Sequence, residues 1–350
     1  MSRHTIAGFR LAGVSTCLPQ RAADNLDPAL GFDAEEVRKV VAMAGVKQRR
    51  VVDEGVTSAD LSFEAAERLL QDLGWARDSV SALVFVTQSP DHFLPSSSCL
   101  LQHWLGLPDS CAAFDVGLGC SGYPYGLYIA AAMLRAGGHR RVLMLHGDTP
   151  SRFVDPGDHA TTLLFGDSGS ATALEAIEPA DSGGGHFVLG TDGAGHAGLI
   201  IRGGAFRDRH PANPRHLALE MDGSAVFNFT LKRVPPLVAE ALAESGCTAG
   251  DVDAFVFHQS NRFMIKHLVK KCGMPEEKVP LTLEDNGNSG GPSVAVTLTR
   301  RLGGLPRERA LKVMLLGYGV GLSWGAAVLT LEPTARLLHA DYTGTLARRG

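Results

Sequence analysis

The chain has 350 residues, 45% of them apolar, enough for a sizeable buried core in one large domain or two ordinary ones. Its 33 Lys and Arg nearly offset 37 Asp and Glu, leaving a net charge of −4, so no global field draws nucleic acid or an anionic membrane and neither is expected as a partner. The N-terminus lacks an uninterrupted apolar segment and nowhere do 18 apolar residues run together, which points to the cytoplasm.

In chain order, SFEAAERLLQDLGW (62 to 75) has helical periodicity, and SALVFVTQ (81 to 88) is the first apolar run of strand length. CAAFDV (111 to 116) reads as a strand leading into GLGCSGYPYGLYIAAAML (117 to 134), where a helical pattern begins. RVLMLHG (141 to 147) is a further buried strand. EPADSGGGHFVLGTDGAGHAG (178 to 198) is rich in Gly and Asp, and the alternation then resumes with DAFVFH (253 to 258), the helix RFMIKHLVKKCG (262 to 273) and the strand LKVMLLG (311 to 317). The tail after Glu332 has weak periodicity and a basic end, and loose order is expected there. Six cysteines (17, 99, 111, 120, 247 and 272) show no CxxC spacing and no nearby histidine cluster, so neither a metal site nor disulfides are expected.

The two halves repeat. Val84-Phe85 recurs as Val256-Phe257, GCSG (119 to 122) as GNSG (287 to 290), and VLML (142 to 145) as VMLL (313 to 316), at offsets of 172, 168 and 171. This order suggests an α/β fold built by duplication, divided near residue 179 into a first half, 1 to 179, and a second, 180 to 350. Ligand sites in open α/β sheets lie beyond the carboxyl ends of strands, where equivalent turns of the two halves meet.

Three glycine motifs compete for the chemistry. Gly117, Gly119 and Gly122 satisfy GxGxxG, with Asp148 as a candidate ribose partner, but the motif lies deep in the chain rather than in a leading βαβ unit. Gly321, Ser323 and Gly325 match GxSxG, yet AAVLTLEP follows as a strand where a nucleophile elbow needs a helix, so Ser323 reads as structural. The third is Cys120, at a helix start where free N–H groups and the macrodipole lower a thiol from about 8.5 toward neutrality. The alternative is a small residue at a crowded turn. In the second half, His258 follows the strand DAFVF, and Asn288 replaces the cysteine in the duplicated turn. Superposing the halves brings all three residues to equivalent strand ends.

With GLGCSGYPYGL, LLFGDSGSATAL (163 to 174), HQSN (258 to 261), NGNSGGPSVAVTL (286 to 298) and GYGVGLSWGAAVLTL (317 to 331) read together, the chain resembles the β-ketoacyl-acyl carrier protein synthase III family of thiolase-fold condensing enzymes. The resemblance implies the duplicated five-layer αβαβα thiolase fold, a homodimer, and a Cys120, His258, Asn288 triad. It further implies that Cys120 takes an acyl group from a thioester, that a malonyl thioester loses CO₂, and that side-chain N–H donors of His258 and Asn288 stabilise the enolate. The oxyanion hole would be the backbone N–H groups of Cys120 and Val320. Acyl and malonyl thioesters, on coenzyme A or on acyl carrier protein, are the implied substrates, with no metal or other cofactor.

The chain departs from the family pattern where coenzyme A is usually gripped: a tryptophan and two arginines are replaced by Lys39, Met43 and His159. A carrier-bound donor, or another coenzyme A pose, is therefore expected over the usual grip on free coenzyme A, and a specialised, polyketide-like pathway over fatty acid initiation. Arg262, Lys266 and Lys270, four apart with Lys271 beside them, would form one helix face, either solvated or docking an acidic acyl carrier protein. Leu94 stands where the family often places a phenylalanine that enters the partner's acyl pocket, so a longer or differently shaped acyl group is expected. Three rivals remain open: transfer to an oxygen or nitrogen nucleophile without decarboxylation; hydroxymethylglutaryl-CoA synthase-like chemistry, for which no carboxylate stands out near the cysteine; and a non-catalytic carrier-binding protein.

Overall fold

A computed structural model describes residues 1–179, 182–305 and 307–348. The apolar runs form buried strands as expected, at Ala82–Val86, Arg141–Asp148, Ala254–Phe257 and Leu311–Gly319. Strands covered on both faces need no polar alternation, which is why these read as continuous Val, Leu and Phe.

Two sheets result. The first runs Arg336–Asp341, Phe9–Leu18, Ser168–Ala176, Arg141–Asp148, Ala82–Val86, Ala112–Val116, and the second Ser2–Ile6, Gly185–Thr191, Ser323–Leu331, Leu311–Gly319, Ala254–Phe257. Within each, the same four-strand pattern recurs, two antiparallel pairings followed by a parallel one. The duplication is thus present in the strand order, and the serine of GxSxG opens a strand, Ser323–Leu331.

Between the sheets lie two equivalent helices, Gly122–Ala136 and Ser293–Leu302, whose Leu127, Ala131, Val294 and Leu298 pack against Val84, Val142, Val256 and Leu315 in one fully buried cluster. Each leucine so buried stabilises the fold by roughly 1.5–3 kcal/mol. Helix Ser58–Leu73 covers the outer face of the first sheet, and helices Gly223–Glu244 and Arg262–Cys272 cover that of the second, which completes five layers, αβαβα. The first of these starts four residues before its apolar periodicity because Thr57 and Asp60 form a reciprocal capping box. Helix Arg262–Cys272 is capped by the Asn261 side chain on the Met264 N–H and stops at Gly273. Among the described residues no helix is long and apolar enough to cross a membrane.

The chain ends cross over. Ser2–Ile6 joins the second sheet and Arg336–Asp341 the first, so each half lends its partner an edge strand. Loose order after Glu332 was the wrong expectation. The strand Arg336–Asp341 is followed by Thr343 and Gly344, whose N–H groups donate to the buried carboxylate of Glu64, and by Arg348, which pairs with Asp60 and lies 4.2 Å over the Trp104 ring. These anchors are polar and sit on a distant helix, so the tail's own periodicity carries no sign of them. Residue 180, where the second half is drawn to begin, lies outside the described residues.

Candidate active site

Cys120 ends the turn between strand Ala112–Val116 and helix Gly122–Ala136, one residue before the helix N-cap, Ser121. The turn is closed by the Gly122 N–H donating to Gly119 O at 2.7 Å. Ser323 holds it from the other half: its hydroxyl donates to Val320 O at 2.8 Å and shares a 2.7 Å hydrogen bond with Ser121 Oγ. The serine of GxSxG is therefore a brace. Two glycines of GxGxxG serve packing: a Cβ on Gly119 would come within 2.1 Å of Gln88 Oε1, and one on Gly122 within 2.6 Å of Val86 and 2.9 Å of the His146 ring. Asp148 is 2% exposed with its carboxylate turned to the backbone of Gln88, which leaves no ribose site there.

The backbone N–H groups of Val320 and of Cys120 itself both act to lower the thiol's pKa. Val320 reaches it because Gly319 adopts φ 155°, where a Cβ would lie 2.6 Å from Cys120 Cβ and 2.9 Å from Sγ. The expected drop in thiol pKa does not follow. Cys120 is half-buried, and desolvation pushes the thiol up to about 11, against the two N–H groups and helped by the nearby Asp148 charge. The argument from the helix N-terminus omitted desolvation.

His258 follows strand Ala254–Phe257 and is 2% exposed. Its Nδ1 lies 3.0 Å from Gly290 O and 3.0 Å from Ser293 Oγ, while Ser293 donates to the same carbonyl at 2.6 Å. A carbonyl only accepts, so this network assigns the ring proton to Nδ1 and leaves Nε2 a lone pair. Burial lowers the ring to about 4. Donation from Nε2 to an enolate, as the resemblance implies, then requires a second proton on the ring. Asn288 is oriented without ambiguity: its Oδ1 accepts from the Gly290 N–H at 3.0 Å and its Nδ2 donates to Ser260 O at 3.2 Å, which leaves one N–H free. Tyr318 binds this loop to the second sheet, its hydroxyl 3.0 Å from Ser260 Oγ and its ring edge-on to His258.

A cavity of about 50 Å³ opens at the sulfur. Phe153, Phe165, Leu199 and Leu219 form its apolar wall, and Gln88 and Asp148 its polar end. Asp148 is the carboxylate near the cysteine that the sequence did not disclose. A larger hollow of 430 Å³ beside Arg141 and Glu175 is remote from this cluster.

The outlying candidates divide. Lys266 and Lys270 are exposed, Lys266 with Glu276 3.5 Å away, whereas Arg262 is half-buried and donates to Ala42 O at 2.8 Å. Arg262 therefore ties its helix to helix Ala34–Ala44 and does not share the free lysine face. Lys39 pairs with Glu35, Met43 is exposed, and His159 packs edge-on to Phe32. Leu94 is 85% exposed and lines no part of the cavity in its own chain; Phe93 beside it stacks with Phe206.

Two fused α/β halves in five layers, with Gly290 and Val320 of the second lining the cavity at Cys120 of the first, define a thiolase-fold protein of the condensing class. The chain belongs to the 3-oxoacyl-[acyl-carrier-protein] synthase III family. The family profile matches residues 114–193 and that of its C-terminal domain residues 242–331. A β-ketoacyl-[acyl-carrier-protein] synthase III from Chlamydia caviae is 33% identical over 317 residues, 89% of this chain and 93% of that protein. The crystal structure of a 3-oxoacyl-(acyl-carrier protein) synthase from Burkholderia xenovorans LB400 is 41% identical, with a TM-score of 0.93 over 97% of this chain and 99% of that one. The priming β-ketosynthase of the R1128 polyketide pathway is 30% identical, with a TM-score of 0.85 over 94% and 98%.

Proposed function

We propose that this condensing acyltransferase loads an acyl group on Cys120 and joins it to the carbanion of a malonyl thioester, releasing CO₂ and forming a β-ketoacyl thioester. The observation that carries the reading is the cavity at Cys120, which Gly290 and Val320 of the second half also line, with the Cys120 and Val320 N–H groups as the proposed donors there. When an acyl group occupies that sulfur, the same donors hold the oxyanion of the tetrahedral intermediate. The free Nδ2–H of Asn288 serves the malonyl thioester oxygen as decarboxylation places charge there. His258 adds a second donor once Nε2 is protonated. No resident metal or organic cofactor enters these steps.

The donor is proposed to arrive on an acyl carrier protein. Lys39, Met43 and His159 supply no guanidinium where the family usually grips coenzyme A, and Lys266 and Lys270 offer an exposed basic face to an acidic carrier. A homodimer is proposed because strand Ala112–Val116 leaves one edge unpaired among the described residues, with Phe114 partly exposed beside it, and because a Leu94 reaching the partner's acyl pocket must be exposed in a single chain. The two halves, 1 to 179 and 180 to 350, are proposed as its structural units, and the cytoplasm as its site of action, in a specialised or fatty acid pathway.

One observation favours a second reading. Asp148 supplies a base beside the sulfur, as transfer of the acyl group to an oxygen or nitrogen nucleophile would require. Carboxyl-labelled malonyl thioester separates the two. Acyl-loaded enzyme that releases label as CO₂ in step with product supports condensation. Acyl transfer to other nucleophiles with the label retained refutes it.

A further inference from the structure

Acyl uptake exchanges a thioester between two sulfurs. When Cys120 starts as a thiol, a proton must leave the sulfur as the carbon–sulfur bond forms. His258 is poorly suited to hold it, since burial lowers its ring to about 4. The opposite end of the cavity offers another group.

Asp148 ends strand Arg141–Asp148 and turns its carboxylate toward the cavity that Cys120, Gly119, Gln88, Gly290 and Val320 also line. Its two oxygens are treated unequally. Oδ1 accepts from the Gln88 N–H at 2.8 Å, from Thr87 Oγ1 at 3.4 Å and from Ser89 Oγ at 3.5 Å. Oδ2 accepts no hydrogen bond among the described residues and lies against Gly290, where a Cβ would stand 3.1 Å from it. The cavity of about 50 Å³ that Asp148 and Cys120 both line is room for one or two waters.

Beneath the carboxylate lies His146, fully buried, with both ring nitrogens lacking a hydrogen-bond partner and Nε2 3.8 Å from Asp148 Oδ2. Gly122 and Gly291 leave room for this ring, and a Cβ on either would strike it. A buried imidazole with neither nitrogen satisfied costs stability that a leucine in the same space would not. Its polarity is directed at Oδ2.

We infer that Asp148 is the proton-transfer residue of acyl uptake: through one water, Oδ2 takes the Cys120 proton as the sulfur attacks the acyl thioester, and returns it to the departing thiolate. The Cys120 S–H bond breaks and the Cys120 S–C bond forms; the carrier S–C bond breaks and the carrier S–H bond forms. Atoms and charge balance with no further reactant. This rests on the reading of Cys120 as acyl acceptor. The charged and titratable groups around Asp148 are His146 on its own strand, Cys120 across the cavity, His258 beyond His146, and Asp167, whose carboxylate is turned to the Val52 and Ser151 N–H groups. Burial raises the Asp148 carboxyl to about 7 and lowers His146 to about 3, so Asp148 exchanges protons near neutrality while both imidazoles stay neutral.

The test is single-turnover acylation of Cys120 by an acyl thioester, followed by intact mass from about pH 5 to 9, beside alkylation of Cys120 by iodoacetamide. Wild type is expected to show a rising limb centred near 7. Asp148→Asn should lose the limb and acylate about 10²-fold more slowly above it. Its alkylation should be as fast or faster, because removing a neighbouring negative charge favours the thiolate. A purely structural role would slow both reactions in parallel, and that result, or an unchanged limb and rate in Asp148→Asn, overturns the assignment. Should the variant not fold, the wild-type profile decides alone, since a rate without a limb near 7 is incompatible with the inference. Wild-type protein that takes no acyl group at any pH overturns the acyl-uptake reading as well, whereas uptake indifferent to Asp148 overturns this inference only.

Discussion

In the first half, the turn before helix Gly122–Ala136 carries Cys120, and strand Arg141–Asp148 ends in a carboxylate; in the second, the equivalent turn before Ser293–Leu302 carries Asn288, and the equivalent strand ends in Gly319. The scaffold is the same twice over, yet in the proposed reaction the first copy supplies the sulfur and its neighbouring carboxylate, and the second the side-chain donors His258 and Asn288. Val320 crosses this division, since its N–H, from the second half, acts on the first half's thiol. Duplication supplies two facing strand ends, and divergence at four or five positions turns them into unlike partners.

The sharpest way to break this division of labour is to disable the second half while sparing the first. Asn288→Ala removes the free Nδ2–H and is expected to slow condensation by on the order of 10²- to 10³-fold. Acyl-Cys120 should still form at near the wild-type rate, which intact mass before addition of malonyl thioester will show. Equal losses in both stages would mean that the halves do not divide the work as described.

Gly319→Ala attacks the crossing point. The added Cβ meets Cys120 at 2.6 Å, so Val320 must move and take its N–H with it. Both stages should slow by about 10²-fold, and the strained backbone should lower stability by about 1–3 kcal/mol, read as a shift in denaturant midpoint.

Stability against pH sharpens the contrast between imidazoles and carboxyl. His146 and His258 are lowered by burial to about 3 and about 4, so the unfolded chain binds those protons first; their contribution is present above about 6.5 and is lost as pH falls toward 4. Asp148, raised to about 7, has the opposite sign: its contribution is present below about 4 and is lost as pH rises through 7. Two imidazoles against one carboxyl predict a melting temperature that falls on acidification below about pH 6.5. At pH 8, Asp148→Asn should melt a few degrees above wild type, and a lower melting temperature there would contradict the buried-charge account.

Arg348→Ala should cost only about 1 kcal/mol, because its guanidinium over Trp104 remains partly exposed. Leu94→Phe should leave stability unchanged and shift acyl selectivity toward shorter chains in a panel of acyl thioesters; an unchanged profile removes Leu94 from the pocket.

The repeat, the buried strands and the three residues Cys120, His258 and Asn288 were legible because each stands next to a strong local signal, an apolar strand end or a glycine turn. His146 and Asp148 were not, although His-Gly-Asp closes an otherwise apolar strand, because a strand's last residues usually meet solvent and only the packing of the second half buries these. The protonated thiol escaped notice for the same reason: helix position is local, whereas desolvation depends on Gly319 and Val320, some 200 residues away. The contact of Arg262 with Ala42 was not legible either, because helical spacing shows a shared face but not the helix Ala34–Ala44 beside one end of it.

The most direct test maps the acyl adduct after brief exposure to an acyl thioester. The other cysteines, at 17, 99, 111, 247 and 272, serve as internal controls, with Cys99 the exposed one. The account predicts one acyl group per chain on the peptide holding Cys120, discharged when malonyl thioester is added. Labelling spread over the exposed thiol, or retained at full level in Cys120→Ala, would contradict it.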